Sequence, residues 1–199
     1  MKLRTFAAYY PVLSAIGCAA LQFLLTIAIL EIGMHFAPHA AYGKVKLVAF
    51  ASTILLPLWL AQAFGLWRQI GFHLVGTRPA LFYVGLLVCV PYLAAGVDLH
   101  ARDSVAGEVL LQFVNAFGEE LLFRGVIFAL LARLVPWQAL ALNALLFGAM
   151  HLIHGVMDGD WVAAMHQALV TTAGGLLFVA VRHRTGSLWC AIVLHMLVN

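Results

Sequence analysis

The chain has 199 residues, of which 64% are hydrophobic and only 10% charged, far from the composition of an ordinary soluble domain. Its net charge of +3 is the balance of 11 basic and 8 acidic residues, and the basic ones are scattered singly or in pairs, with no patch dense enough for nucleic acid. Cys18, Cys89 and Cys190 stand in separate apolar stretches without C-x-x-C or zinc-type spacing, which disfavours disulfides and a cysteine metal site.

The N-terminal Met1-Lys2-Leu3-Arg4 followed by an apolar run resembles a signal peptide. The run passes thirty residues without a small-residue cleavage site, so it is expected to stay as a first span. About 20 apolar residues are needed to cross a bilayer as a helix. On that ruler polar and Pro/Gly breaks divide the chain into seven segments, at roughly 6–36, 45–66, 80–97, 105–134, 136–154, 161–181 and 187–199. The last is short, about 20 Å of helix. No internal repeat, low-complexity tract or long linker separates domains. The expectation is one integral membrane domain over 1–199, an all-α polytopic bundle of about seven helices.

With the N-terminus in the cytoplasm, the inner loops hold Lys2, Arg4, Arg68, Arg78, Arg133, Arg182 and Arg184, and the outer loops Lys44, Lys46 and Arg102. The positive-inside rule favours this orientation. Asp98, Asp103, Asp158 and Asp160 then fall outside, with little topological weight.

The fourth segment places Glu119, Glu120 and Arg124 in mid-span. Each such residue at a helix centre costs roughly 2.5 to 3.5 kcal/mol on insertion scales, so their presence points to a use. Glu120 and Arg124 have the four-residue spacing that sets opposite charges side by side. A buried ion pair that only fixes packing accounts for these two equally well. Glu119 is turned by about 100° from Glu120 and is left free to face an intramembrane polar cavity.

The fifth segment carries Phe147 and His151, and the seventh His195 and Asn199, each pair on one helical face. A lone intramembrane histidine is more often a packing residue than a catalyst; two of them beside a paired-glutamate helix reverse that reading. His154 reads as interfacial, and His35, His39, His73, His100, His166 and His183 as loop or helix-end residues. Gly148 and Gly174-Gly175 read as close helix contacts. In the orientation above, His151, His195 and Asn199 lie toward the outer side and Glu119 near mid-depth or above it, so convergence on one pocket is geometrically allowed.

Glu-Glu-x-x-x-Arg at 119–124, Phe-x-x-x-His at 147–151 and His-x-x-x-Asn at 195–199 resemble the three motifs of the CPBP family, the CAAX proteases and bacteriocin-processing enzymes also called glutamic intramembrane proteases. The resemblance covers about residues 105–199, and the ordered set is far more specific than any one motif. It implies a helical intramembrane endopeptidase in which Glu119 with His151 activates water. It further implies that His195 and Asn199 line the oxyanion side, while Glu120 and Arg124 hold the catalytic helix. Phe147 is expected to support the site.

Chemistry agrees with those roles: a carboxylate can act as general base, and histidine and amide donors can stabilise a tetrahedral oxyanion. No serine, cysteine or threonine is visibly paired with a base, which favours water over an acyl-enzyme. No cofactor is expected; zinc is the lesser alternative, since histidines and glutamates are present and H-E-x-x-H is absent. The expected partners are a membrane-associated protein or peptide substrate and the lipid bilayer, in the cell (inner) membrane if the source is bacterial. Two other readings use the same residues: a proton- or ion-coupled transporter, against which the lack of an inverted repeat counts, and a non-catalytic immunity or scaffold relative.

Overall fold

The computed structural model describes residues 3–73, 80–96 and 105–198. Asn199 lies outside the described residues, as do Lys2, Arg78, Asp98, His100, Arg102 and Asp103. The described chain is a helical bundle with no β-strand among its described residues.

The expected first span is divided at Tyr10 into α1 (Leu3–Tyr9) and α2 (Pro11–Phe36). Proline biases the residue before it away from helical angles and is itself favoured at the start of a helix; Tyr10 accordingly sits at φ −127°, ψ 61°. A short 3-10 turn at His39–Ala41 leads into α3 (Tyr42–Phe64), and α4 (Ala80–Gly96) follows. Next comes α5 (Val105–Glu120), then a π-helical turn over Leu121–Ile127 and a last α-turn, α6 (Phe128–Leu131).

The fifth expected segment also divides. α7 (Pro136–Met150) ends where His151 N–H bonds to Gly148 O at 3.0 Å, and α8 (Ile153–Asp158) resumes after a two-residue turn. Asp160 accepts a hydrogen bond from Ala163 N–H at 2.9 Å and so caps α9 (Trp161–Thr185). Gly186, at φ 73°, turns the chain into α10 (Leu188–Val198).

Four stretches are long and apolar enough to cross a bilayer: Pro11–Phe36, His39–Phe64, Pro136–Asp158 and Trp161–Thr185. α10 and the Ala80–Pro91 part of α4 are apolar but shorter. The protein is thus an integral membrane protein, and its outward apolar side chains, such as Leu24, Leu55, Val162 and Leu169, are what a lipid solvent accepts.

The centre of the bundle is the segment after Glu120. Every residue of the π turn is buried, and α2, α3, α7 and α10 all contact it. Leu121, Leu122, Phe123, Val126 and Ile127 form one apolar cluster with Ala15 of α2, Leu60 of α3, Phe147 of α7 and Ile192 of α10.

One end of the bundle is closed by arginines. Arg4 donates to Gln62 O and Ala63 O at the end of α3, Arg133 to Ala8 O, and Arg182 to Gln69 O and Gly186 O. These carbonyls lie at helix ends or in loops, where basic side chains commonly add a donor.

Candidate active site

The site begins with a widened turn. Phe128 N–H reaches Phe123 O, five residues back, and Asn143 Nδ2 of α7 donates to the same carbonyl at 2.6 Å. A π turn commonly marks a functional position in a helix. Its carbonyl has two lone pairs, and in an apolar interior both are best satisfied.

Arg124, within that turn, is fully buried. Its Nη1 donates to Glu120 Oε1 at 2.9 Å and its Nη2 to Gly175 O of α9 at 3.0 Å. The guanidinium also lies 4.1 Å from the Phe147 ring centroid, a cation–π contact in a dry setting. Gly175 permits this approach, because a Cβ there would stand 2.8 Å from the Phe147 ring and 3.0 Å from Arg124 Nη2.

Glu120 does more than neutralise Arg124. Its Oε1 also accepts from His195 Nδ1 at 2.8 Å, linking the π turn to α10. With Nδ1–H committed to the carboxylate, Nε2 of His195 is the nitrogen left on the opposite edge, 3.7 Å from Glu119 Oε2. Phe178 stacks on the His195 ring at 5.1 Å, and Phe147 meets it edge-on at 5.7 Å. The ring is therefore fixed by one hydrogen bond and two aromatic walls.

His151 lies in the turn after α7. Its Nδ1 faces Phe147 O at 3.0 Å, so Nδ1 carries the proton and Nε2 remains an acceptor. Phe147 touches His151, His195 and Arg124, and so serves as a common wall.

Glu119, His151 and His195 line one cavity of about 480 Å³, whereas Glu120 and Arg124 lie behind its wall, fully buried. Asn199 lies outside the described residues. His154 also reaches the cavity lining, half-exposed and 3.6 Å from Asp158. His35, His39, His73, His166 and His183 are exposed. Gly148 approaches α9 so closely that a Cβ would collide with Thr172 and Ala168 O, whereas a Cβ on Gly174 would meet nothing within 4 Å. The close-contact reading therefore fails for Gly174. Among the described residues no group of three or more His, Cys, Asp or Glu side chains is placed to hold a metal ion.

Motif reading missed the neutral polar part of the wall. Gln22 and Thr26 of α2, Thr53 of α3, Gln112 and Asn115 of α5, and Gln167 of α9 line the same cavity. The available signal was polarity in mid-span: Gln22 and Thr26, four apart, interrupt an otherwise apolar run.

Residues 102–199 match the model of the family described as Type II CAAX prenyl endopeptidase Rce1-like. No curated protein and no solved structure matches the chain. The matched stretch holds the Glu119-Glu120, Arg124, His151 and His195 assembly, and residues 102–199 are thus a domain of the Rce1-like type II CAAX prenyl endopeptidase kind.

Proposed function

We propose that the protein is an intramembrane endopeptidase that hydrolyses a peptide bond of a membrane-associated protein or peptide with water activated by Glu119 and His151. The observation that carries this reading is the convergence of Glu119, His151 and His195 on one cavity inside an otherwise apolar bundle.

Glu119 takes a proton from water as the oxygen attacks the scissile carbonyl, then passes it to the departing amine, so no covalent enzyme intermediate forms. His151 Nε2 accepts the water's second hydrogen bond and orients it, because its Nδ1–H is held by Phe147 O. His195, braced by Glu120, presents Nε2 to the same space and, when protonated, donates to the oxyanion. Asn199 is assigned to that oxyanion side by its place in the third motif. Glu120 and Arg124 act as positioning residues for His195 and the π turn.

The family name suggests a substrate that is S-prenylated on the Cys-aliphatic-aliphatic-X C-terminus of a protein. Such a lipid anchor would bring the scissile bond to a cavity within the membrane. The proposal includes a multi-pass protein of the cell (inner) membrane if the source is bacterial, with the cavity opening away from the cytoplasm.

The test is Glu119→Gln in purified, lipid-reconstituted protein, with an internally quenched, S-prenylated peptide bearing that C-terminus. Glutamine keeps shape and hydrogen-bonding capacity but cannot take a proton from water. The variant is expected to remain folded and to bind without cutting. Retention of activity within tenfold of wild type, about 1.4 kcal/mol of barrier, would remove Glu119 as the base. Loss of wild-type activity to chelators with recovery on adding zinc would replace the water-and-carboxylate reading by a metal one.

A further inference from the structure

The cavity is completed by helices outside the matched segment 102–199. Gln22 of α2 is 1% exposed. Its Nε2 donates to Thr26 Oγ1 at 3.0 Å and to Ser52 Oγ of α3 at 3.1 Å. The Ser52 hydroxyl already donates to Ala49 O at 2.6 Å, so it can face Gln22 only as an acceptor. That fixes the orientation of the amide, with nitrogen toward the two hydroxyls and oxygen away from them. Oε1 is buried, and no partner for it occurs among the described residues.

A neutral acceptor of this kind, held in the wall that carries Glu119, His151 and His195, suits one ligand chemistry in particular. An extended peptide entering a membrane cavity leaves the water that bonded its backbone N–H groups, and each needs an acceptor inside. Carboxylates are poor candidates for that task, because they attract cations and would compete with Glu119 for the catalytic proton. Carboxamides offer an acceptor and donors without charge, the complement of a peptide group. Gln112, Asn115 and Gln167 add three more to the same wall.

We propose that Gln22 Oε1 accepts a backbone N–H of the substrate, and that the carboxamide wall binds the peptide main chain rather than a particular side chain. α2 is thereby part of the substrate site. The proposal rests on the peptidase reading above.

Ester substitution tests it, because a backbone ester removes one N–H and leaves the side chains intact. The probe is the quenched, S-prenylated peptide and a set of analogues carrying one ester each at bonds other than the scissile one. Gln22→Leu replaces the amide by an apolar group of similar size, compatible with its helix. In the wild type, an ester at one position is expected to raise KM about tenfold with little change in kcat, the scale of one lost hydrogen bond. In Gln22→Leu the all-amide peptide shows the same rise, and that ester then has no further effect. The same ester penalty at that position in Gln22→Leu as in the wild type, with cleavage retained, would overturn the role of Gln22 while leaving the peptidase reading standing. Failure of the wild type to cut any of these peptides, with the protein folded, would overturn both.

Discussion

Glu120 Oε1 receives both Arg124 Nη1 and His195 Nδ1, so a single buried oxygen joins the π turn to α10. Truncation of Arg124 leaves that carboxylate charged and short of its main partner, and also strips Gly175 O and the Phe147 face of theirs. Removing one member of a buried ion pair typically costs about 3 to 5 kcal/mol. Arg124→Ala is therefore expected to lower thermal stability in detergent far more than Glu119→Gln does, since Glu119 has no hydrogen-bond partner on Oε2 to lose. Equal melting temperatures for the two variants would contradict this division between the glutamates. The charged residues were legible in the sequence because an ion in mid-span is costly enough to demand a reason. Gln22 and Asn143 were not, because a neutral amide in a membrane helix costs less and is a weaker signal, although both are fully enclosed.

Among the elements, the seven apolar segments anticipated most helix positions, since span length and Pro/Gly breaks are read directly from composition along the chain. The π turn had no such mark: residues 105–134 form one apolar stretch in which nothing announces a five-residue hydrogen-bond register. Its second support is Asn143, and Asn143→Leu is expected to cost about 1 kcal/mol in detergent stability, the net worth of one hydrogen bond. Because Phe123 O belongs to the turn carrying Arg124, the same variant should lose activity beyond its loss of folded protein. An unfolding midpoint and specific activity both equal to wild type would show that the π turn stands without it. α7 and α9 meet through Gly148, where an added methyl would strike both Thr172 and the backbone oxygen of Ala168. Gly148→Ala is expected to destabilise by about 1 to 3 kcal/mol, the usual cost of overpacking. Thr172→Ala should not restore it, because the backbone oxygen cannot be trimmed. Full rescue in the double variant would mean that the helices simply move apart.

At the scale of the whole molecule the two ends of the bundle are chemically different. Arg4, Arg133 and Arg182 secure helix-end and loop carbonyls at one end, whereas the cavity reaches Leu30, Lys46, Ile153 and Gln167 toward the other. Arginine is retained on the cytoplasmic side of membrane proteins more than on the opposite side. The arginine-closed end is therefore expected to face the cytoplasm and the cavity lined by Glu119, His151 and His195 to open outward. Three single-cysteine reporters decide it. Gly43 is exposed with open space around a Cβ, Asp158 is exposed near the cavity mouth, and Ala132 is exposed in the turn after α6 at the opposite end. Cys18 and Cys89 are buried, so only Cys190 needs replacement by serine to provide a quiet background. In intact cells, a membrane-impermeant maleimide should label Gly43→Cys and Asp158→Cys directly, and Ala132→Cys only after permeabilisation. The reverse pattern would turn the protein over in the membrane, and the substrate's scissile bond would then have to reach Glu119 from the cytoplasmic leaflet.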